Sequence, residues 1–369
     1  MSTPLLLAFR RASLRSHRPC AITFAVPTIT TAASPPILTR TFFGAFCALL
    51  FAASSAPVPT KEGNGFKAYD TPAENPAPAK PPVSGEILLG GHGGTDLTLP
   101  FFCSHSGGGN IVVLTANDEA EYNQMFHTAC PANSVTTIVI TSAEGARDPY
   151  VAATIHDTHA IFFSGGDQSN YVKFWTGTPV QAEINRAYAR GVPIGGISAG
   201  LAIQGQFAFA AIQDTVTSPQ ALADPYDPRV TLVRDFLDFP SMSGIITDSH
   251  FSKRERMGRL VTFLARIVQD GWASEVHGLG IDETTAVLLE QGKASVVGKG
   301  AAYFFSLQSH PEKCLPGTPL TMRGISAYRL PAGADSHFDF ASWKGTGGSS
   351  FTVDVINGKM TRSDQPVEH

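Results

Sequence analysis

Short apolar runs alternate with helical stretches through the middle of the chain. Glu86 to Gly94 (EILLGGHGG) predicts a strand running into a glycine turn. Asn110 to Leu114 (NIVVL), Thr136 to Thr141 (TTIVIT), His159 to Ser164 (HAIFFS) and Val192 to Ile197 predict four more strands. Between them Glu119 to Thr128 reads as a helix, and so does Thr178 to Arg190, whose Val180, Ile184, Ala187 and Tyr188 fall at helical spacing. This alternation implies an α/β fold, with a mostly parallel sheet sandwiched by helices. Ligands of such sheets bind beyond the carboxyl ends of the strands. Gly90-Gly91, Gly165-Gly166 and Ser198 all lie at strand ends and are expected to meet at one edge of the sheet.

After Ser198 the pattern loosens. Gln213 to Pro240, rich in proline and aspartate, predicts a long loop near the site. Gly244 to Asp248 (GIITD) restores a strand leading into His250. Ser252 and Glu255 have the spacing of a capping box, opening a helix with the apolar stripe Met257, Leu260, Val261, Leu264, Ile267 and Val268. Leu279 to Leu307 reads as glycine-punctuated antiparallel hairpins, and residues 311–369 as a strand extension at an edge. Pro57 to Gly85 has no apolar period and reads as a flexible linker or propeptide.

Charge and length refine the first residues. Residues 1–61 carry Arg10, Arg11, Arg15, Arg18, Arg40 and Lys61 but no acid, which leaves 21 basic against 31 acidic side chains in the other 308 residues, a net −10. An acidic body argues against a nucleic-acid partner. Thr41 to Ala53 is a continuous apolar run after Arg40, followed by small residues, the order of a secretory signal. It is too short for a stable membrane span. Residues 1–56 are therefore expected to be a signal or targeting segment of a secreted protein, with organelle import as the alternative. Beyond it lie Cys103, Cys130 and Cys314. One disulfide, Cys103 with Cys130 as first choice, fits an oxidising compartment, although the odd count leaves the framework open. His156 and His159 in HDTH have no further ligand nearby, so neither a metal nor an organic cofactor is expected.

The chemistry centres on VPIGGISAGLAIQGQ, Val192 to Gln206. A strand, a sharp turn of small residues and a helix would present Ser198 at the helix head, where unpaired N–H groups can face an oxyanion. A tight turn for close packing is the structural alternative. A serine needs a base, and the base needs an orienting group. His250, in DSHFSKRERMGRL, is the candidate base, and Glu283, in GIDETTA, the candidate acid, with Asp214 as a second contender. Arg254, Arg256 and Arg259 follow His250. Helical spacing puts Arg256 and Arg259 away from the Leu260–Leu264 stripe, either as a solvated face or as a clamp for carboxylates.

IFFSGGDQ (Ile161 to Gln168), GGISAGLA (Gly195 to Ala202), DSHFSKRERMGRL and GIDETTA, in this order and spacing, resemble the cyanophycinase-like serine peptidases, relatives of the aspartyl dipeptidase with a scaffold like that of class I glutamine amidotransferases. The resemblance spans roughly residues 85–310 and implies a catalytic domain over 86–310. By resemblance Ser198 is the nucleophile, His250 the base and Glu283 its orienting acid. The Gly166 and Ala199 N–H groups would form the oxyanion site. Gln168, Asp248, Arg254, Arg256 and Arg259 would form a pocket for a β-linked aspartyl-arginine unit. The implied partner is a peptide or polypeptide carrying aspartyl residues, with a homodimer left open. The chain departs from the cyanobacterial pattern at Ser249, where those enzymes typically carry Gln, and in the loop from Gln213 to Pro240. An inactive binding protein and a small-molecule esterase or amidase are the competing expectations.

Overall fold

The computed structural model describes residues 58–117 and 122–365. The expected targeting segment, residues 1–56, lies outside the described residues.

Five parallel strands form the centre of the first sheet, in the order Ser134–Ile140, Asn110–Thr115, Ala160–Phe163, Ile194–Ile197 and Glu86–Leu89. The last three are buried at every residue, because helices cover both faces. On one face Thr95–His105 and Tyr122–Ala129 pack Phe102 and Phe126 against Phe162. These two helices are joined by the Cys103–Cys130 disulfide, while Cys314 stays free and buried. On the other face Pro149–His156, Gln168–Trp175 and Pro179–Ala189 bring Val151, Ile155, Trp175, Val180, Ile184 and Ala187 onto Leu114, Ile161 and Phe163.

Antiparallel strands extend this sheet at both edges, further than the alternating pattern foretold. On one side Phe66–Pro72 pairs with Ser134–Ile140 along its whole length. The reading of residues 57–85 as a flexible linker is thereby corrected for its first part. The strand is short and ends in Pro72, but Phe66 and Ala68 alternate with outward residues and bury one face. On the other side Thr285–Glu290 pairs with Glu86–Leu89 and closes a hairpin with Lys293–Gly298.

A second sheet of eight strands holds Val276–Ile281 between Ile245–Asp248, which is parallel to it, and Ala301–Leu307, which is antiparallel. Met322–Pro331, Ser349–Ile356 and Lys359–Arg362 continue it as the tail's strand extension. Helix Met257–Gln269 covers it with Leu260, Val261, Leu264, Ile267 and Val268. The predicted run of hairpins from Leu279 to Leu307 is therefore divided. Only Thr285–Glu290 and Lys293–Gly298 make a hairpin, and the chain crosses between the sheets at Asp282–Thr284. Where a long loop was predicted, helix Ser218–Ala223 and strand Leu232–Arg234 interrupt it. No helix among the described residues is long and apolar enough to cross a membrane.

Truncating a fully packed Phe leaves a cavity that its surroundings refill only in part. Phe66→Ala is expected to cost about 3–5 kcal/mol, read as a lower urea midpoint. A change within about 0.5 kcal/mol, the range of exposed positions, would return residues 58–72 to a linker.

Candidate active site

Ser198 follows strand Ile194–Ile197 and precedes helix Ala199–Ala202. Its backbone, at φ 55° and ψ −108°, lies where a side chain is disfavoured. Small neighbours make the turn fit. A methyl group on Gly196 would lie 2.4 Å from the Gly200 carbonyl oxygen, and one on Gly200 would lie 2.3 Å from that of Phe163. The Ser198 N–H donates to the Leu89 carbonyl at 3.0 Å, continuing the parallel pairing into the turn.

His250 lies two residues beyond strand Ile245–Asp248 of the second sheet and also has a positive φ, 47°. Its N–H donates to the Gly90 carbonyl at 2.8 Å. The chain then winds through hydrogen-bonded turns, with Arg254 N–H on the His250 carbonyl and Arg256 N–H on that of Phe251, before the helix starts at Met257. The predicted Ser252–Glu255 capping box is not made. The Ser252 N–H is held by Asp282 Oδ1 at 2.9 Å, and Arg256 stands at the cap position without a side-chain capping bond. The turn that aims His250 takes the residues a cap would have used.

Three side chains meet at this edge. Ser198 Oγ lies 2.7 Å from His250 Nε2, and His250 Nδ1 lies 2.7 Å from Glu283 Oε1. Glu283 is carried on the crossing between the sheets, which Asp282 pins by accepting from Ser252 and Ala301 N–H groups. The imidazole fits only because Gly91 lacks a side chain; a methyl there would lie 2.4 Å from its Cε1. Asp214 does not reach the histidine; it is exposed and accepts from the Thr215 N–H. Burial pushes the His250 pKa below its ordinary 6.5, opposed by the Glu283 hydrogen bond and reinforced by Arg254 and Arg256. The hydrogen bond from His250 holds the Glu283 carboxyl below the usual range.

Gly165-Gly166 lies beside the serine, and a methyl on Gly165 would approach the Ser198 β-carbon to 3.6 Å. Gly166 has φ 121°, a conformation suited to glycine. Neither its N–H nor that of Ala199 has a hydrogen-bond partner among the described residues. A tetrahedral oxyanion at Ser198 could accept from both.

Next to Gly166 opens a cavity of about 390 Å³. Gln168, Arg254, Arg256 and Arg259 line it, together with Asp167, Asp214 and Thr215. Arg254 is exposed and has no hydrogen bond or ion pair from its guanidinium among the described residues. Arg256 and Arg259 reach the cavity but are tied to Asp248, which lies behind its lining. Asp248 is buried and is gripped by Arg259, Nε to Oδ2 at 2.7 Å and Nη2 to Oδ1 at 2.5 Å. Arg256 reaches Asp248 at 3.3 Å and the Ser249 carbonyl at 2.9 Å. Arg259 is only 2% exposed, which corrects its placement on an outward face. Its carboxylate partner and the Phe209 ring, 5.0 Å away, draw it inside. Asn117, which no sequence motif marks, also reaches the site and donates to the Gly165 carbonyl at 2.8 Å. Its place just after strand Asn110–Thr115, at the same carboxyl edge, was the available signal. A larger cavity of about 930 Å³ beside Trp343 and Tyr328 contains none of these residues. No group of three His, Cys, Asp or Glu side chains among the described residues is placed to hold a metal ion.

The chain is 31% identical to a cyanophycinase of Trichormus variabilis over 173 residues, 46% of this chain and 52% of that protein. It is 25% identical to a cyanophycinase of Synechococcus elongatus over 213 residues, 55% of this chain and 61% of that protein. The match to the first thus spans about half of the relative's length. Among solved structures, a peptidase from an acI-B1 actinobacterium aligns with TM-score 0.46 and 17% identity, covering 70% of this chain and 97% of that one. The sequence model of peptidase family S51 matches residues 111–297, just over half of the chain. The chain belongs to peptidase family S51.

Proposed function

We propose that the chain is a serine peptidase that hydrolyses an amide bond next to an aspartyl residue, with a cyanophycin-like β-aspartyl-arginine polymer as the first substrate to test. The unbroken line from Ser198 Oγ through the His250 ring to Glu283, 2.7 Å at each step, carries this reading. His250 removes the hydroxyl proton as Ser198 attacks the carbonyl, then returns it to the leaving amine. Glu283 fixes the ring with Nε2 toward the serine and favours the imidazolium that forms. The Gly166 and Ala199 N–H groups face the oxyanion, each worth about 3 kcal/mol in comparable sites. Arg254 is the cation free to take a substrate carboxylate, with Gln168 beside it. Asp248, Arg256 and Arg259 hold the floor of the cavity. We further propose that the protein works outside the reducing cytoplasm, a reading supported by the Cys103–Cys130 disulfide.

Ser198→Ala is expected to abolish both cyanophycin hydrolysis and labelling by a fluorophosphonate probe. Retained turnover would remove Ser198 from its role.

Only a neutral imidazole can accept the serine proton, so kcat/KM should fall as pH drops through the His250 pKa of the free enzyme. Since burial lowers that pKa, the acid limb of the profile should lie below 6.5. Arg254→Ala removes a cation that disfavours the imidazolium and should move the limb upward. Glu283→Gln removes the favourable carboxylate and should move it downward, with a large loss of rate. Shifts of opposite sign in the pH–rate profiles would refute the assignment.

The two kinds of arginine should also separate by assay. Arg254→Ala is expected to raise KM at least tenfold, an effect of about 1.4 kcal/mol or more, with the fold intact. Asp248→Ala leaves Arg259 buried without its partner and should cost about 3–5 kcal/mol of stability, seen in thermal or urea unfolding. Unchanged stability with only a higher KM would return Asp248 to the substrate pocket.

A further inference from the structure

We infer that Asn117 is the positioning residue of the oxyanion site and acts by fixing which way the Gly165–Gly166 peptide faces. The inference rests on the serine-hydrolase reading above. A trans peptide is planar, so the Gly165 carbonyl and the Gly166 N–H point from opposite edges of one plate. Two successive glycines leave that plate free to turn over, because neither has a side chain to resist it. Turned over, it would present a carbonyl oxygen where the N–H is needed, and would repel the developing negative charge.

Three donors act on the Gly165 carbonyl oxygen. Asn117 Nδ2 donates at 2.8 Å, Ser164 Oγ at 3.2 Å and Tyr171 OH at 3.4 Å. Tyr171 makes its shorter bond, 2.9 Å, to the Ser164 carbonyl, and Ser164 Oγ also lies 3.1 Å from the Tyr171 hydroxyl. Asn117 is therefore the closest donor, and the one that comes from outside the segment Ser164–Tyr171. With the carbonyl drawn toward Asn117, planarity directs the Gly166 N–H to the opposite edge, where it has no partner among the described residues. The carboxamide also occupies the space above Gly166, since a methyl there would lie 1.5 Å from Asn117 Nδ2. Asn117 is itself braced: the buried Thr115 hydroxyl donates to its carbonyl at 2.9 Å and accepts from its N–H at 3.0 Å.

Because the N–H matters most when charge develops on the substrate oxygen, loss of Asn117 should slow the chemical step and leave substrate binding nearly unchanged. The test compares the full chain with Asn117→Ala and Asn117→Asp. The readouts are kcat and KM on cyanophycin, the rate of inactivation by a fluorophosphonate, and the unfolding temperature. Asn117→Ala is expected to lower kcat and the inactivation rate by about 10- to 100-fold, below the loss seen when an oxyanion donor itself is removed. KM should stay within about threefold and the unfolding temperature within a few degrees, below the scale of a 1 kcal/mol change in KM and stability respectively. Asn117→Asp keeps the shape but sets a carboxylate against the Gly165 carbonyl, and should be at least as slow as the alanine variant. A role in filling space predicts the reverse order, with Asp close to wild type. That order, an effect confined to KM, or unimpaired variants of an active wild type would overturn the inference alone. A wild type inert toward both substrate and probe would overturn the hydrolase reading and the inference with it.

Discussion

Three successive backbone carbonyls at the end of strand Glu86–Leu89 set the positions of the Ser198, His250 and Glu283 segments. Leu89 accepts from Ser198 N–H, Gly90 from His250 N–H, and Gly91 from Thr284 N–H, at 3.0, 2.8 and 2.9 Å. The segments come from one sheet, the other sheet and the crossing between them, yet each is tied to a neighbouring residue of a single strand end. Backbone ties of this kind are short and directional, so a side chain on each segment is fixed to within its rotamer. The same strand end must be glycine. A methyl on Gly90 would lie 2.0 Å from the Asp282 carbonyl oxygen, and one on Gly91 would strike the His250 ring. Positive φ values at Ser198, His250 and Thr284 accompany this convergence. Such strain persists where the surrounding structure determines it several times over, as it does here.

The parts of this arrangement visible in the sequence were those governed by local rules. Continuous apolar runs marked the parallel strands, because a strand covered on both faces needs no polar side. Gly-Ile-Ser-Ala-Gly marked the turn at Ser198, because few other residues can pack so closely against Phe163 and Gly200. The failures came where distant segments overrode local preference. Phe66–Pro72 alternates correctly, but its partner strand is more than sixty residues away and its proline-rich flanks hid it. Ser252 and Glu255 have the spacing of a cap, yet Asp282 takes the Ser252 N–H from another part of the chain. Arg259 sits where helical periodicity assigns a polar face, and the buried carboxylate of Asp248 with the Phe209 ring explains why that face points inward. Asn117 was missed for the same reason: its value lies in what it does to a peptide bond forty-eight residues later.

Separating the arginines changes the electrostatics of the proposed mechanism. Arg259 grips Asp248 at two points and Arg256 reaches the same carboxylate, so drawing Arg259 to a substrate would break a buried ion pair. Arg254 has no such partner, and it lowers the His250 pKa. On the proposed reading, a substrate carboxylate placed on Arg254 would cancel much of that charge. The base would then gain proton affinity when its substrate arrives, while in the empty site it stays neutral and ready. Glu283 provides the constant part of the attraction and the incoming anion the variable part. A site arranged this way favours an acidic substrate through the proton transfer as well as through binding, so a neutral analogue that still reached Ser198 would meet a weaker base.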